Sequence, residues 1–245
     1  PIYDYQDDQN NLNVRLGVLH NWAFQFDENN TIEFKNLYNQ INNSQYISRQ
    51  GQNFEGNYYG AFGGFSETFR GIYSGQLLGK HKIFEGKTNI NWVMNAGYSY
   101  RDLPDIRRYR RDVDTQTGNE KTYVPVGTAQ TYFLGRFFSN MQEFSYSGSV
   151  GIDHTLEISD SFLPVISAGL FYENKERNFE ARNLGYATGN NFDNALQELP
   201  IDQLFDPKNI NGDEGLRFDE QTNKSDSYDA NNRLMAYYVS LSIPI

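Results

Sequence analysis

Apolar and polar residues alternate with a period of two along most of this 245-residue chain. The clearest run is 143–158, where Phe144, Tyr146, Val150 and Ile152 share one phase and serine and acidic residues share the other. Because successive side chains of a strand point to opposite faces, the pattern predicts strands with one apolar and one polar face. The predicted strands are 12–27, 31–41, 65–82, 89–101, 143–158, 165–177 and 233–245. No segment of helical length has a sustained helical apolar stripe, so we expect an all-β chain.

The connections between these strands differ in length. Three are short, at 28–30, 83–88 and 159–164. Three are long and polar, at 42–57, 102–130 and 181–227, and the two kinds alternate strictly. A meander with tight turns at one end and wide loops at the other is typical of outer-membrane β-barrels. The sequence therefore predicts an antiparallel transmembrane β-barrel.

Aromatic residues group at the ends of the predicted strands. Trp22, Phe24 and Phe26 lie beside the first short connection, whereas Tyr98 and Tyr100 precede a long one. Membrane proteins place such girdles at the two membrane interfaces. About seven strands do not close a barrel, which in bacteria uses an even number, and a bilayer tolerates no open sheet edge. We therefore expect residues 1–245 to form a sector of a larger barrel. A soluble β-sandwich that binds glycans through exposed Tyr and Trp is the alternative.

Charge and composition exclude several other classes. The net charge of -10 and the pI of about 4.8 argue against nucleic-acid binding, which needs a basic surface. Cysteine is absent, and no stretch reaches the roughly 20 apolar residues of a membrane-spanning helix. His20, His81 and His154 lie on separate predicted strands without metal-ligand spacing, and His20 and His154 fall in phase with the apolar face.

No catalytic motif is present, so the sequence predicts a protein that is not an enzyme and that has no cofactor and no metal centre. The stretch 206–215 has the character of a calcium loop. It fails as an EF-hand because Pro207 and Phe218 occupy positions where carboxylate ligands are needed. A looser calcium site in this acidic segment remains an alternative.

Charged residues on the polar phase are the candidate site residues. In a wide barrel this phase meets water, a plug or a solute. The candidates for contact with a ligand or a plug are Arg15, Arg101, Glu143, Asp153, Glu157 and Glu173. The alternative is a solvated wall.

A run of arginines interrupts the acidic background near the start of the 102–130 connection. It consists of Arg107, Arg108, Arg110 and Arg111. Because arginine forks match phosphate oxygens, the run is a candidate contact for an anionic ligand or for lipopolysaccharide. The alternative is pairing with nearby carboxylates, which are Asp102, Asp105, Asp112 and Asp114.

Three stretches carry a resemblance to a known family. They are SYRDLPDIRRYRRD (99–112), GRFFSNMQEFSYSGSVGIDH (135–154) and LPVISAGLFYENKERNFEARNLGY (163–186). They resemble the barrel of TonB-dependent outer-membrane receptors, of the Bacteroidota type that has a carboxypeptidase-regulatory-like N-terminal domain. The resemblance implies a 22-stranded barrel around a plug, in the outer membrane of a Gram-negative bacterium, and energised uptake of a scarce ligand.

The same resemblance implies the partners. They are outer-membrane lipids, the rest of the barrel and its plug, TonB through the N-terminal part, and a surface lipoprotein or other outer-membrane subunits. The plug and the N-terminal domain are expected outside this chain. A barrel subunit of an outer-membrane complex, with transport secondary, is a further alternative.

Overall fold

A computed structural model describes residues 2–114, 116–159 and 161–244 and has one antiparallel sheet of nine strands. Residues 115, 160 and 245, which fall in predicted segments, lie outside the described residues. The all-β prediction is confirmed. The strands are β1 (Tyr3–Gln25), β2 (Asn30–Asn53), β3 (Tyr58–Ile83), β4 (Thr88–Val113), β5 (Glu120–Thr122), β6 (Leu134–Thr155), β7 (Val165–Thr188), β8 (Leu216–Glu220) and β9 (Tyr228–Ser242).

The sheet is a meander with two free edges in the described residues. Its order is β1-β2-β3-β4-β6-β7, and β5 pairs with the last residues of β4. Both β8 and β9 pair with β7, β8 at 184–188 and β9 at 165–179. They therefore occupy successive parts of one edge, and β1 forms the other. The sheet is open, so closure into a barrel is not part of the observed fold.

All seven predicted strands are present, but they are longer than the alternation indicated. The prediction of a long loop at 42–57 is wrong, because 42–53 continues β2 and only 54–57 connects to β3. Polar side chains in this part hydrogen-bond across strands, as Asn43 does with Asn13 at 2.7 Å. Polar composition therefore does not end the strand, and short and long connections do not alternate strictly.

Strands β4 and β7 also extend into segments predicted as loops, 102–113 and 181–188. The pairing of β4 shifts between Leu103 and Ile106, around Pro104. Proline has no backbone N–H to donate, so it is tolerated at such a bulge. Asp102 and Arg107 are five positions apart, so a regular strand would place them on opposite faces. The extra residue at the bulge places both on the same face.

The connections define two ends of the sheet. The turn end has 26–29, 84–87 and 156–164, and the looped end has 54–57, 114–133 and 189–227. The last segment contains β8, a short helix α1 (Ile201–Leu204) and three 3₁₀ turns. Val124, Leu134, Leu204 and Leu216 form a buried apolar cluster here. None of the helices in the described residues is long and apolar enough to cross a membrane.

Cross-strand register assigns each strand residue to one of two faces. One row across five strands has only apolar and aromatic side chains, and it consists of Val18, Tyr38, Tyr73, Tyr98 and Phe144. We call the face that bears this row the apolar face. Phe144 is 57% exposed and Val239 77% exposed, so no other part of the described residues covers the face around them. The opposite, polar face bears mainly Asn, Ser, Gly and charged residues.

Strand β2 interrupts the apolar face. Its residues Gln40 and Asn42 lie opposite Leu16 and Val14 of β1 on that face. Tyr38 donates a 2.9 Å hydrogen bond to Gln40, and Gln40 donates a 3.3 Å hydrogen bond to Asn42. The polar groups therefore satisfy one another along the strand.

Candidate functional site

Most of the predicted polar-face carboxylates already have a cationic partner. Glu143 on β6 accepts a 2.8 Å hydrogen bond from Nε of Arg177 on β7, and Glu173 pairs with Lys175 at 2.9 Å. Glu157 lies beyond the end of β6, where Lys87 Nζ is 2.7 Å from its carboxylate. Only Asp153 has no cation among its partners in the described residues, and it lies opposite Asn89 and Ser167 on the polar face.

The two predicted polar-face arginines belong to a larger group. The backbone pairing of four adjacent strands places three arginines in one row across the polar face, namely Arg15 on β1, Arg70 on β3 and Arg101 on β4. Ile41 of β2 lies between Arg15 and Arg70 in this row. We call the three arginines the arginine row. Sequence reasoning missed Arg70, although it lies inside predicted strand 65–82 on the polar phase.

The arginine run at 107–111 does not form a single clamp, because alternate residues point to opposite faces. Arg107 lies on the apolar face at the looped end, opposite Arg136 of β6. Both bind Asp105, Arg107 Nε at 2.5 Å and Arg136 Nε at 2.8 Å. Burial opposes ionisation of Asp105, but the hydrogen bonds from the two arginines outweigh it and lower its pKa. Two arginines thus share one carboxylate.

Two other members of the run are structural. Arg110 is buried, its guanidinium lies 3.6 Å from the ring centroid of Tyr58 and 4.4 Å from that of Tyr123, and its Nε is 2.6 Å from Asp112. Arg111 pairs with Glu120 at 3.0 Å. Arg108 is exposed on the polar face. Pairing with neighbouring carboxylates, one of the two alternatives from the sequence, describes Arg107 and Arg110.

A cavity of about 610 Å³ opens between the apolar face at the looped end and segment 200–210. Its walls include Tyr46, Phe65, Tyr109, Phe205, Arg107 and Arg136. Burial raises the pKa of Tyr109 to about 12, so this phenol stays protonated at neutral pH. The flat aromatic walls suit a ligand with an apolar or sugar-like face, whereas both guanidinium groups of the wall are already paired with Asp105.

The structure also places the histidines and the calcium-like loop. His20 and His154 lie on the apolar face, as expected, and so does His81. In the loop, Asn211 Oδ1 accepts hydrogen bonds from the backbone N–H groups of Asp213 and Gly215. The side chain of Asn211 is therefore engaged in hydrogen bonds within the loop.

Chemically, the described residues offer binding surfaces. Nowhere in 2–114, 116–159 and 161–244 do three or more His, Cys, Asp or Glu side chains come together as a metal site. The two groupings of functional side chains are the arginine row on the polar face and the aromatic cavity at the looped end. No protein-family profile, curated protein or solved structure matches this chain.

Proposed function

We propose that this chain is a sector of the transmembrane β-barrel of an outer-membrane receptor that imports a scarce ligand with energy supplied through TonB. The observation that carries the proposal is the uncovered apolar face. Soluble monomers rarely expose contiguous apolar patches larger than a few hundred Å². Here Met94, Phe144, Tyr237 and Val239 are each more than half exposed on the same face. Hydrocarbon is the solvent that favours such a face.

The shape of the apolar surface supports a barrel. On β4 the uninterrupted apolar run ends towards the looped end at Tyr100, before Asp102, and Tyr100 pairs with Gln142, two residues beyond Phe144, where the corresponding run of β6 ends. Phe144 in turn pairs with Glu176, four residues beyond Tyr172 of β7. The margin thus moves towards the turn end from β4 to β6 and again from β6 to β7.

This displacement of the margin gives the tilt of the strands, which is the angle between the strand direction and the perpendicular to the margin of the apolar surface. Between β4 and β9 the margin near the looped end moves six residues, and the margin near the turn end moves two, from the row of Ile90 to Leu241. With about 3.4 Å per residue and about 4.8 Å between strands, the strands incline by roughly 25–55°. Transmembrane barrel strands tilt by roughly 35–45°.

The height of the surface also fits. On β4 it runs from Ile90 to Tyr100, ten steps along the strand. At about 3.4 Å per step, and with strands tilted by the roughly 35–45° of such barrels, this corresponds to about 24–28 Å. The apolar band of outer-membrane barrels is roughly 25 Å tall.

The soluble sandwich is less well supported. It requires a second sheet over the apolar face, whereas the described strands form one sheet and Trp22 is 53% exposed. The complex-subunit alternative uses the same barrel and differs only in transport. The sequence of the complete gene separates these two, since a plug and a TonB box support import and their absence favours the subunit.

A topology experiment tests membrane placement directly. The chain has no cysteine, so single cysteines report without background. We expect a membrane-impermeant maleimide on intact cells to label Asn190→Cys in the 189–227 connection and to spare Asn29→Cys at the turn end, because these barrels insert with short periplasmic turns. Permeabilised cells, in which both should react, are the control. Labelling of Asn29→Cys in intact cells would contradict the proposed orientation.

A further inference from the structure

Arg70 on β3 and Arg101 on β4 are direct cross-strand partners on the polar face. The Cα atoms of directly opposed residues are about 4.5–5.5 Å apart, so like charges in this position destabilise the pair. Arg15 lies in the same row beyond Ile41. At about 4.8 Å per strand it is about 10 Å from Arg70, within reach of a shared ligand. Three cationic side chains thus lie close together on one face of a protein whose net charge is -10.

No carboxylate of the described residues neutralises this row. Arginine ion pairs form elsewhere in the sheet, and none of them includes a member of the arginine row. The carboxylate in the adjacent row is Glu143, opposite Ser99. It is occupied by Arg177, whose Nε donates to it at 2.8 Å. None of the described carboxylates therefore compensates the positive charge of the arginine row, which is left open to a group from elsewhere.

We infer that the arginine row binds an oxyanion, a carboxylate or phosphate group on a solute that passes along the polar face. Guanidinium forks match the oxygens of both groups and form charge-assisted hydrogen bonds with them. Thr68 and Ser99 lie one row to either side and offer hydroxyl donors. The inference deepens the proposed function, because it rests on the polar face as the inner surface of the barrel. An acidic segment of the same protein presents the same chemistry, and the test separates the two sources.

The test measures the thermal unfolding midpoint of the full-length protein in detergent, in sodium phosphate and in sodium chloride at equal pH and ionic strength. We expect phosphate to raise the midpoint of the wild type by about 2–4 °C, because a ligand that binds only the folded state stabilises it. Arg70→Gln and Arg101→Gln should abolish the increase. Arg49→Gln is the matched control, since Arg49 lies on the same face and is already paired with Asp7 at 2.7 Å. A wild type that responds equally to both salts overturns the inference.

Charge reversal separates a solute from a segment of the protein. Arg70→Glu places a carboxylate opposite Arg101, so it should raise the midpoint in chloride and remove the response to phosphate. If an acidic segment of the protein already occupies the row, Arg70→Glu lowers the midpoint in both salts, and binding of a solute is refuted. Failure of the proposed function itself would appear in the labelling of Asn29→Cys, independently of the response to phosphate.

Discussion

The indole Nε1 of Trp92 on β4 donates a 3.0 Å hydrogen bond to Nε2 of His81 on β3. His81 Nδ1 lies 2.8 Å from Oδ1 of Asn30, whose amide donates in turn to the carboxylate of Asp27 at 2.8 Å. A hydrogen-bonded chain therefore connects the apolar face to the 26–29 connection. Because an indole N–H can only donate, Nε2 of His81 is the acceptor in the contact with Trp92.

The first prediction concerns this series of hydrogen bonds from Trp92 through His81 to Asp27. His81→Phe keeps a ring on β3 but removes both hydrogen bonds, so we expect a loss of about 1–2 kcal/mol in the free energy of unfolding. Trp92 emission, recorded in a Trp22→Phe background, should change at the same time. His20→Phe is the control, because His20 contacts Trp22 edge to face without a hydrogen bond to it. Equal losses of unfolding free energy for His81→Phe and His20→Phe would contradict a stabilising role of these hydrogen bonds.

The second prediction concerns pH. Hydrogen bonds from the Asn30 side chain and the Asn29 backbone lower the pKa of Asp27 from its ordinary value of 3.8. A carboxyl with a lowered pKa stabilises the fold above that ordinary value, and the contribution is lost as pH falls through the folded pKa. The midpoint difference between wild type and Asp27→Asn should therefore be largest above pH 4 and vanish on further acidification. A difference that is constant down to pH 2 would refute the role of Asp27.

The third prediction concerns close packing on the apolar face. The ring of Tyr100 lies where a β-carbon at Gly71 would be. Gly71→Ala should therefore destabilise the protein by about 1–3 kcal/mol through overpacking. A β-carbon at Gly64 of the same strand meets no atom within 4 Å, so Gly64→Ala is the matched control. The double variant Gly71→Ala/Tyr100→Ala should recover part of the loss. Chemical denaturation measures all three, and a Gly71→Ala variant as stable as Gly64→Ala would contradict the close contact.

The fourth prediction separates members of the arginine run. Arg110→Ala removes a buried cation that stacks on Tyr58 and leaves Asp112 unpaired, so a loss of about 2–4 kcal/mol is expected. Arg108→Ala changes an exposed side chain and should alter stability by less than about 0.5 kcal/mol. Limited proteolysis of the looped end and unfolding curves test both. Similar effects of the two substitutions would contradict the buried, stacked position of Arg110.

The sequence predicts the strands well because alternation follows directly from the pleat. The sequence conceals the full length of a strand where both of its faces are polar, as in 42–53 of β2. On β3 the alternation is weakened because Gly71 and Gly79 lie on the apolar face. The space that a side chain at either position would fill is occupied by the ring of Tyr100 or of Trp92. That apolar surface belongs to the neighbouring strand, so no pattern within β3 reports it.

The candidate site was harder to predict, because its geometry depends on register. Arg70 and Arg101 are 31 positions apart in sequence and become direct partners only through the pairing of β3 with β4. The face that each member of the arginine run takes depends on the bulge around Pro104, which reverses the phase of β4. Alternation within a single strand contains neither kind of information.

The central claim is that the apolar face meets lipid, and two adjacent positions of β6 test it. Val150 lies on that face between Trp92 and Leu170, whereas Ser149 lies on the polar face between Val93 and Phe171. Arginine on the lipid side of a barrel costs roughly 2–4 kcal/mol near the midplane of the bilayer. The same charge on the polar face meets water.

The measurement is the folded fraction of full-length Val150→Arg and Ser149→Arg in outer membranes, determined by heat-modifiable electrophoretic mobility against wild type. We expect a clearly reduced folded fraction for Val150→Arg and a near-normal fraction for Ser149→Arg. Equal fractions, or a lower fraction for Ser149→Arg, would contradict the membrane placement of the apolar face.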